Sequence, residues 1–245
     1  MRRILFRCGG APIYSYPAML YLGTVLGVVA GNYAANRARL DSRVVFAITL
    51  LACGGGLIGG RLSFVVARWP IYWREPRRIW SGSEGGADMY GGLPLAVLVS
   101  VPLLRLWSLP FGAFWDVATF TILVAMIFTR VGCLLNGCCS GRHSEGRFAL
   151  WLANQSGERR RRIPNQILEG SWAAVLLAGA VLLWGKLPFP GALFLYLLGG
   201  YGAGRLVLES TRERPPGAPR ISIDHAVSLG LVVLCATGFL TAWPR

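Results

Sequence analysis

FWDVATFTILVAMIFTRVGCLLNGCCSGR, residues 114–142, runs from a largely apolar segment into one that holds Arg130, Arg142, Asn136, three glycines and three cysteines. The apolar part matches the roughly 20 residues that a helix needs to cross a bilayer. The polar part falls where such a helix reaches the membrane surface. A helix stop takes one glycine and one basic residue in the last turn. So much additional polar and reactive material calls for a second explanation.

The remainder of the chain repeats the apolar half of this pattern. Of its 245 residues 54% are hydrophobic and only 15% charged, and the mean hydropathy is +0.50. A soluble domain carries about a quarter charged residues, so composition points to the membrane. Apolar segments of spanning length occur at about 17–35, 44–67, 90–107, 112–135, 166–185, 190–209 and 222–243. Pro94, Pro102 and Arg105 interrupt the third. The opening MRRILFRCGGAPIYSYP is basic but has too few apolar residues for a signal-peptide core. The expected fold is all-α: a polytopic integral membrane protein of about seven transmembrane helices in one domain, residues 1–245.

The net charge is +14, and Lys186 is the sole lysine. Arginine offers phosphate a planar donor fork that lysine lacks. Loop arginines also follow from the positive-inside bias of membrane proteins. No soluble module organises them for nucleic acid, so an anionic lipid headgroup is the more economical ligand. Of the six cysteines, Cys53 and Cys235 lie in apolar spans and read as packing residues. Cys133, Cys138 and Cys139 form C-x4-C-C, which fits no common zinc pattern, and His143 and His225 are far apart. No metal and no cofactor are expected, and a Cys133–Cys138 disulfide stays open.

Ionisable groups inside the spans cost at least a few kcal/mol and mark candidate sites. They are Arg61, Asp116, Arg130, Arg205, Glu209, Asp224 and His225. Arg205, Glu209 and Arg212 lie on one helical face, as an interhelical ion pair or as part of a site. Glycines 199, 200, 202 and 204 bare the same helix for a neighbouring helix or a lipid. In GSEGGADMYGGLPLAV, residues 82–97, Gly85, Gly86, Gly91 and Gly92 flank Tyr90. This is either broken backbone lining a cavity or a glycine-rich loop before a helix. Tyr16, in SYPAML, reads as an interfacial anchor. Arg159 to Arg162 read as a solvated loop drawn to anionic lipid, ahead of Gln166 and Glu169.

Together these segments resemble the bacterial prolipoprotein diacylglyceryl transferase family. RVGCLLNGCCSGR is similar to the family signature at Arg130, Gly132, Asn136, Gly137, Gly141 and Arg142, in register. IYSYPAMLY, GGRLSF, MYGGL, RIPNQILEG and GYGAGRLVLESTR resemble further family motifs in the family's order. The resemblance implies transfer of the diacylglyceryl group of phosphatidylglycerol to the lipobox cysteine of a pre-lipoprotein. It implies a multi-pass protein of the bacterial cytoplasmic membrane, acting as a monomer. It implies catalytic roles for Arg130, Arg205, Glu209, Tyr90 and Tyr16, and substrate binding by Asn136, Gly141, Arg142, Arg61, Gly91, Gly92 and Gln166.

The chain departs from the family at three positions. Tyr90 stands for a histidine, Cys133 for an asparagine and Cys138 for an acidic residue. A phenol is a poor general base at neutral pH, so His143 or Glu209 takes that role if one is used. Two other readings stay open: a transferase of the same fold with a different acceptor, and a non-catalytic lipid-binding membrane protein. The family orientation puts the N-terminus outside, whereas the loop arginines argue for the reverse by the positive-inside rule.

Overall fold

The computed structural model describes residues 2–66, 69–80, 89–153, 158–212 and 223–242. It is helical apart from two short hairpins. The glycine pair 85–86 and the acidic residues around it lie outside the described residues.

A hairpin opens the chain. β1 (Ile4–Cys8) pairs antiparallel with β2 (Ala11–Tyr14) across Gly9 and Gly10, both at positive φ as a tight two-residue turn requires. Seven longer helices follow, close to the expected spans: α1 (Ser15–Arg37), α2 (Ser42–Val66), α4 (Met89–Leu106), α5 (Phe111–Asn136), α6 (Asn165–Leu183), α7 (Ala192–Glu209) and α8 (Ile223–Ala242). The short α3 (Trp69–Arg74) and a 3-10 turn, Pro76–Trp80, lie between α2 and α4. Five of the helices, α1, α2, α5, α6 and α8, are long and apolar enough to cross a membrane. The apolar part of α4 is shorter. In α7 four glycines, Arg205 and Glu209 dilute the hydropathy.

The second hairpin corrects the reading of the arginine run. Arg159–Arg162 form β4, paired antiparallel with β3 (Leu150–Ala153), rather than a solvated loop. Pairing fixes the side-chain directions, and Arg162 ends 1% exposed with Nη1 donating to the Gly141 carbonyl at 3.5 Å.

The chain divides into two compact units, residues 1–34 with 115–245, and residues 35–114. In the first, Gly23, Gly27 and Gly31 form a small-residue stripe on α1. A Cβ at Gly27 would stand 2.5 Å from the Thr121 carbonyl of α5, so the two backbones touch. On α7, Gly200 and Gly204 meet Leu176 and Trp172 of α6, while Gly202 meets Ser228 of α8. The bare glycine face is therefore taken up by helices on both sides. Asp116 of α5 holds the start of α7, accepting the amides of Gly191 (2.7 Å) and Phe194 (3.0 Å). A carboxylate there satisfies orphan helix donors and complements the helix dipole.

In the second unit α2 and α4 meet along another glycine seam. A Cβ at Gly92 would lie 2.8 Å from the Gly56 carbonyl, and one at Gly91 would overlap Ser63. Tyr90, Gly91 and Gly92 are helical, so the broken-backbone alternative fails over these residues.

Polarity is distributed as lipid demands. Exposed side chains include Tyr21, Val29, Ile58, Leu98, Leu182, Val207 and Leu240, while Thr119, Asn165, Gln166, Glu169, Arg205 and Glu209 are buried. Polar groups inside and apolar groups outside is the arrangement for a hydrocarbon solvent.

Candidate functional site

The site is built from the first turns of α6. Pro164 fixes the approach to the helix, and Asn165, Gln166 and Glu169, at i, i+1 and i+4, form one buried face. Asn165 Oδ1 accepts the Thr211 hydroxyl at 2.7 Å, which ties α6 to the end of α7. Gln166 Nε2 donates to the Cys138 carbonyl at 2.7 Å, which ties it to the loop after α5.

Glu169, 7% exposed, is the hub. Its Oε2 lies 2.6 Å from Arg130 Nη2 of α5. Its Oε1 receives Arg212 Nη2 at 2.8 Å and Arg205 Nη1 at 3.3 Å. Glu209 sits at the edge of the same cluster, 2.9 Å from Arg205 Nη2 and 3.7 Å from Arg212 Nε. Among the described residues, three guanidiniums thus face two buried carboxylates. A further carboxylate, Asp224, is 3.7 Å from Arg205 but 42% exposed, so water screens it more strongly. Charges at this depth persist only when paired. A guanidinium also carries five donors, more than one carboxylate takes up. The arrangement is a fixed cluster of guanidinium donors, a chemistry that suits a phosphate.

The loop after α5 closes one side. α5 stops at Gly137 (φ +81), with the Cys138 amide reaching back to the Cys133 carbonyl at 3.2 Å in a Schellman-type closure. Gly141 donates to Ile163 O (3.1 Å) and Arg142 to Thr211 O (2.9 Å), lacing the loop to β4 and to the end of α7. A Cβ at Gly141 would sit 2.5 Å from Ile163 O and 3.0 Å from Thr211 O. Only glycine fits that crossing. Gly132 similarly lets α5 reach Tyr16 of α1, whose Cα would be 3.3 Å from an added Cβ.

The expected site residues therefore sort by unit. Arg130, Arg205 and Glu209 meet in one ion-pair cluster. Gln166 binds the adjoining loop, Asn136 ends α5 within hydrogen-bond reach of Cys138, and Gly141 supports the loop by its size. The Arg142 side chain is exposed, and its backbone is bonded to Thr211 and Ile163. His143 is exposed as well, in a β-bridge to Arg162. Tyr90, Gly91, Gly92 and Arg61 belong to the second unit. There Arg61 Nε donates to Ile79 O at 2.9 Å, and its guanidinium lies 5.5 Å from the Phe64 ring and 5.7 Å from Tyr72.

The sequence places Glu209 beside Arg205, whereas Glu169 and Arg212 are not among the expected site residues. The signal was present, since Glu169 closes the RIPNQILE motif and Arg212 closes the face shared by Arg205 and Glu209. The C-x4-C-C spacing, with a Cys133–Cys138 disulfide left open, does not show how the three cysteines meet. Folded, the sulfurs of Cys133, Cys138 and Cys139 all lie within 4.8 Å of one another. Hydrogen bonds from Cys133 and Cys138, with Arg130 and Arg212 behind them, hold the Cys139 thiol below the ordinary thiol range.

A family model described as prolipoprotein diacylglyceryl transferase matches residues 3–242. Three relatives, each called phosphatidylglycerol–prolipoprotein diacylglyceryl transferase, come from Streptococcus pyogenes serotypes M5 (strain Manfredo), M49 (strain NZ131) and M18 (strain MGAS8232). Each is 27% identical over 237 residues, covering 94% of this chain and 91% of the relative.

Proposed function

The chain belongs to the prolipoprotein diacylglyceryl transferase family, and from that premise we propose that it moves the diacylglyceryl group of phosphatidylglycerol onto the cysteine thiol of a pre-lipoprotein. The acceptor sulfur attacks the glyceryl carbon that carries the phosphate. A carbon–sulfur bond forms, the carbon–oxygen bond to phosphate breaks, and glycerol phosphate leaves with the bonding electron pair. The thiol gives up its proton to water, so one unit of negative charge develops on the phosphate side as the bond breaks.

The observation that carries this reading is the cluster of Arg130, Arg205 and Arg212 on Glu169. Fixed cationic donors stabilise charge that appears in the transition state, and they act most strongly where water is scarce. Glu169 and Glu209 keep the guanidiniums in place. Gln166 Oε1 is buried and has no hydrogen-bond partner among the described residues, which suits an acceptor for a glycerol hydroxyl. Asn136 and Arg142 serve the headgroup from the loop, Gly141 sets the loop's position, and Tyr16 orients the lipid. The protein works as a monomer in the bacterial inner membrane, as one integral domain crossing seven times, with α4 and α7 completing the five longer spans.

Purified protein, labelled phosphatidylglycerol and a lipobox peptide, with products identified by mass, test the reading. The thioether peptide and glycerol phosphate form with the unaltered chain, and Arg130→Ala or Arg205→Ala abolishes both products. Turnover that survives both substitutions removes the arginines from the mechanism. Cys133 and Cys138, at the family's asparagine and acidic positions, favour one second reading: a changed acceptor. Glycerol phosphate release that needs a thiol other than the lipobox peptide identifies that case.

A further inference from the structure

Three of the six cysteines converge at the end of α5. All three thiols are free, and each sulfur lies within 4.8 Å of the other two. Cys133 is fixed in the last turn of the helix, 3% exposed. The chain then reverses through Gly137 (φ +81) and Cys139 (φ +58). A left-handed backbone is uncommon for a residue other than glycine, asparagine or aspartate. Here it folds the third sulfur back toward the first two. Both flanks of the turn are held, by Gln166 on the Cys138 carbonyl and by the Gly141 and Arg142 amides on Ile163 and Thr211. The three sulfurs are therefore placed by the fold, not by chance rotamers on a free loop.

Thiolates bind soft cations at a metal–sulfur distance of about 2.3 Å. A three-sulfur plane around one cation then has sulfur–sulfur edges of about 4 Å, so the triangle closes with only small side-chain movements. Soft thiolate ligands select zinc, copper(I) and their heavier congeners over magnesium or calcium. Arg130 and Arg212 lie within electrostatic reach of Cys139, and their charge offsets the excess negative charge of three thiolates around one cation. Cys139 is exposed, which gives a cation a way in.

We propose that Cys133, Cys138 and Cys139 form a three-thiolate site for a single soft cation of the zinc or copper(I) class. Binding closes the turn between Asn136 and Gly141, so the metal fixes the loop that borders the arginine cluster. The inference rests on the sulfur geometry alone and stands whether or not the chain transfers diacylglyceryl groups.

The test uses the full chain in detergent, reduced and freed of metal, then titrated with cadmium as a probe of thiolate sites. Thiolate-to-cadmium charge-transfer absorption saturates at one cation per chain, and zinc displaces the signal. Cys133→Ser and Cys139→Ser each abolish stoichiometric binding. Cys139 is the exposed member, so its variant stays informative where Cys133→Ser fails to fold. The combined Cys8→Ser, Cys53→Ser, Cys235→Ser variant keeps the signal. Absence of saturable binding, or binding that survives Cys139→Ser in a monodisperse preparation, overturns the site. So does a chain isolated without reductant that is two hydrogens lighter and carries a disulfide among the three cysteines.

Discussion

GGGLIGGR and GGYGAGR, ending at Arg61 and Arg205, are nearly the same phrase: a glycine-rich helix face followed by one arginine at membrane depth. The fold treats them differently. Arg61 of α2 donates to the Ile79 carbonyl and lies near the Phe64 and Tyr72 rings. Arg205 of α7 meets Glu169 and Glu209, in a cluster that also takes Arg130 and Arg212. An arginine near a carbonyl and two rings braces its own neighbourhood. Three arginines converging on Glu169 gather their donors at one point. The partners among the described residues, not the arginine or its glycines, set the two apart.

The most damaging way to test that distinction is to remove the hub. Glu169→Ala leaves three guanidiniums facing one buried carboxylate. Breaking a buried ion pair from one side costs about 3–5 kcal/mol. Denaturant unfolding in detergent will show that loss, with transferase activity absent. Stability within about 1 kcal/mol of the unaltered chain would mean that the cluster is hydrated like a surface pair, and the comparison would fail. Next comes the glycine that closes the site. Gly141→Ala pushes a Cβ to 2.5 Å from the Ile163 carbonyl, and overpacking of this kind costs about 1–3 kcal/mol. Gly59→Ala on α2 meets Gly91 O at the same 2.5 Å and loses a similar amount. Gly141→Ala also displaces the loop of Asn136 and Arg142, so it raises KM for phosphatidylglycerol in the protein that remains folded.

The helices were legible because apolar runs of spanning length have few alternatives. Their ends fall within a few residues of the hydropathy limits, from Ser15 at the first to Ala242 at the last. The hairpins were not legible. Arg159 to Arg162 show no alternation of residue type, and only pairing with Leu150–Ala153 reveals that Arg162 points inward. Within the site, motif order located Arg130, Arg205 and Glu209. It could not rank Glu169 above Glu209, because that ranking depends on which carboxylate the turns of α5, α6 and α7 bring between three arginines. The thiol triangle was hidden for a related reason. C-x4-C-C looks unlike a ligand set until a left-handed turn at Cys139 folds it.

Arg61 supplies a milder test from the other side. Arg61→Met removes the hydrogen bond to the Ile79 carbonyl and two ring contacts. The expected cost is about 1–2 kcal/mol, seen as a lower unfolding midpoint. Arg205→Met removes the nearer partner of Glu209 and one of the three guanidiniums on Glu169, and costs more, by the same logic as the hub. Equal losses for the two methionine variants would erase the difference between them.

The smallest effects come from the two carboxylates that cap helices. Asp41, exposed at the start of α2, accepts the amides of Arg43 (2.9 Å) and Val44 (3.3 Å) from its own chain segment. Asp116 does the same for α7 from a different helix, with both oxygens occupied. Asparagine caps a helix about as well as aspartate when one oxygen suffices, so Asp41→Asn should shift stability by no more than a few tenths of a kcal/mol. Asp116→Asn keeps one acceptor and turns the other into a donor facing an amide, and it gives up the charge that complements the helix dipole. That loss is about 1 kcal/mol. Because α7 carries Arg205, a start of α7 that moves also moves the guanidinium relative to Glu169. Asp116→Asn should therefore lower kcat for transfer while Asp41→Asn leaves it unchanged. An unaltered kcat in Asp116→Asn would mean that α7 is positioned by its glycine contacts with α6 and α8 alone.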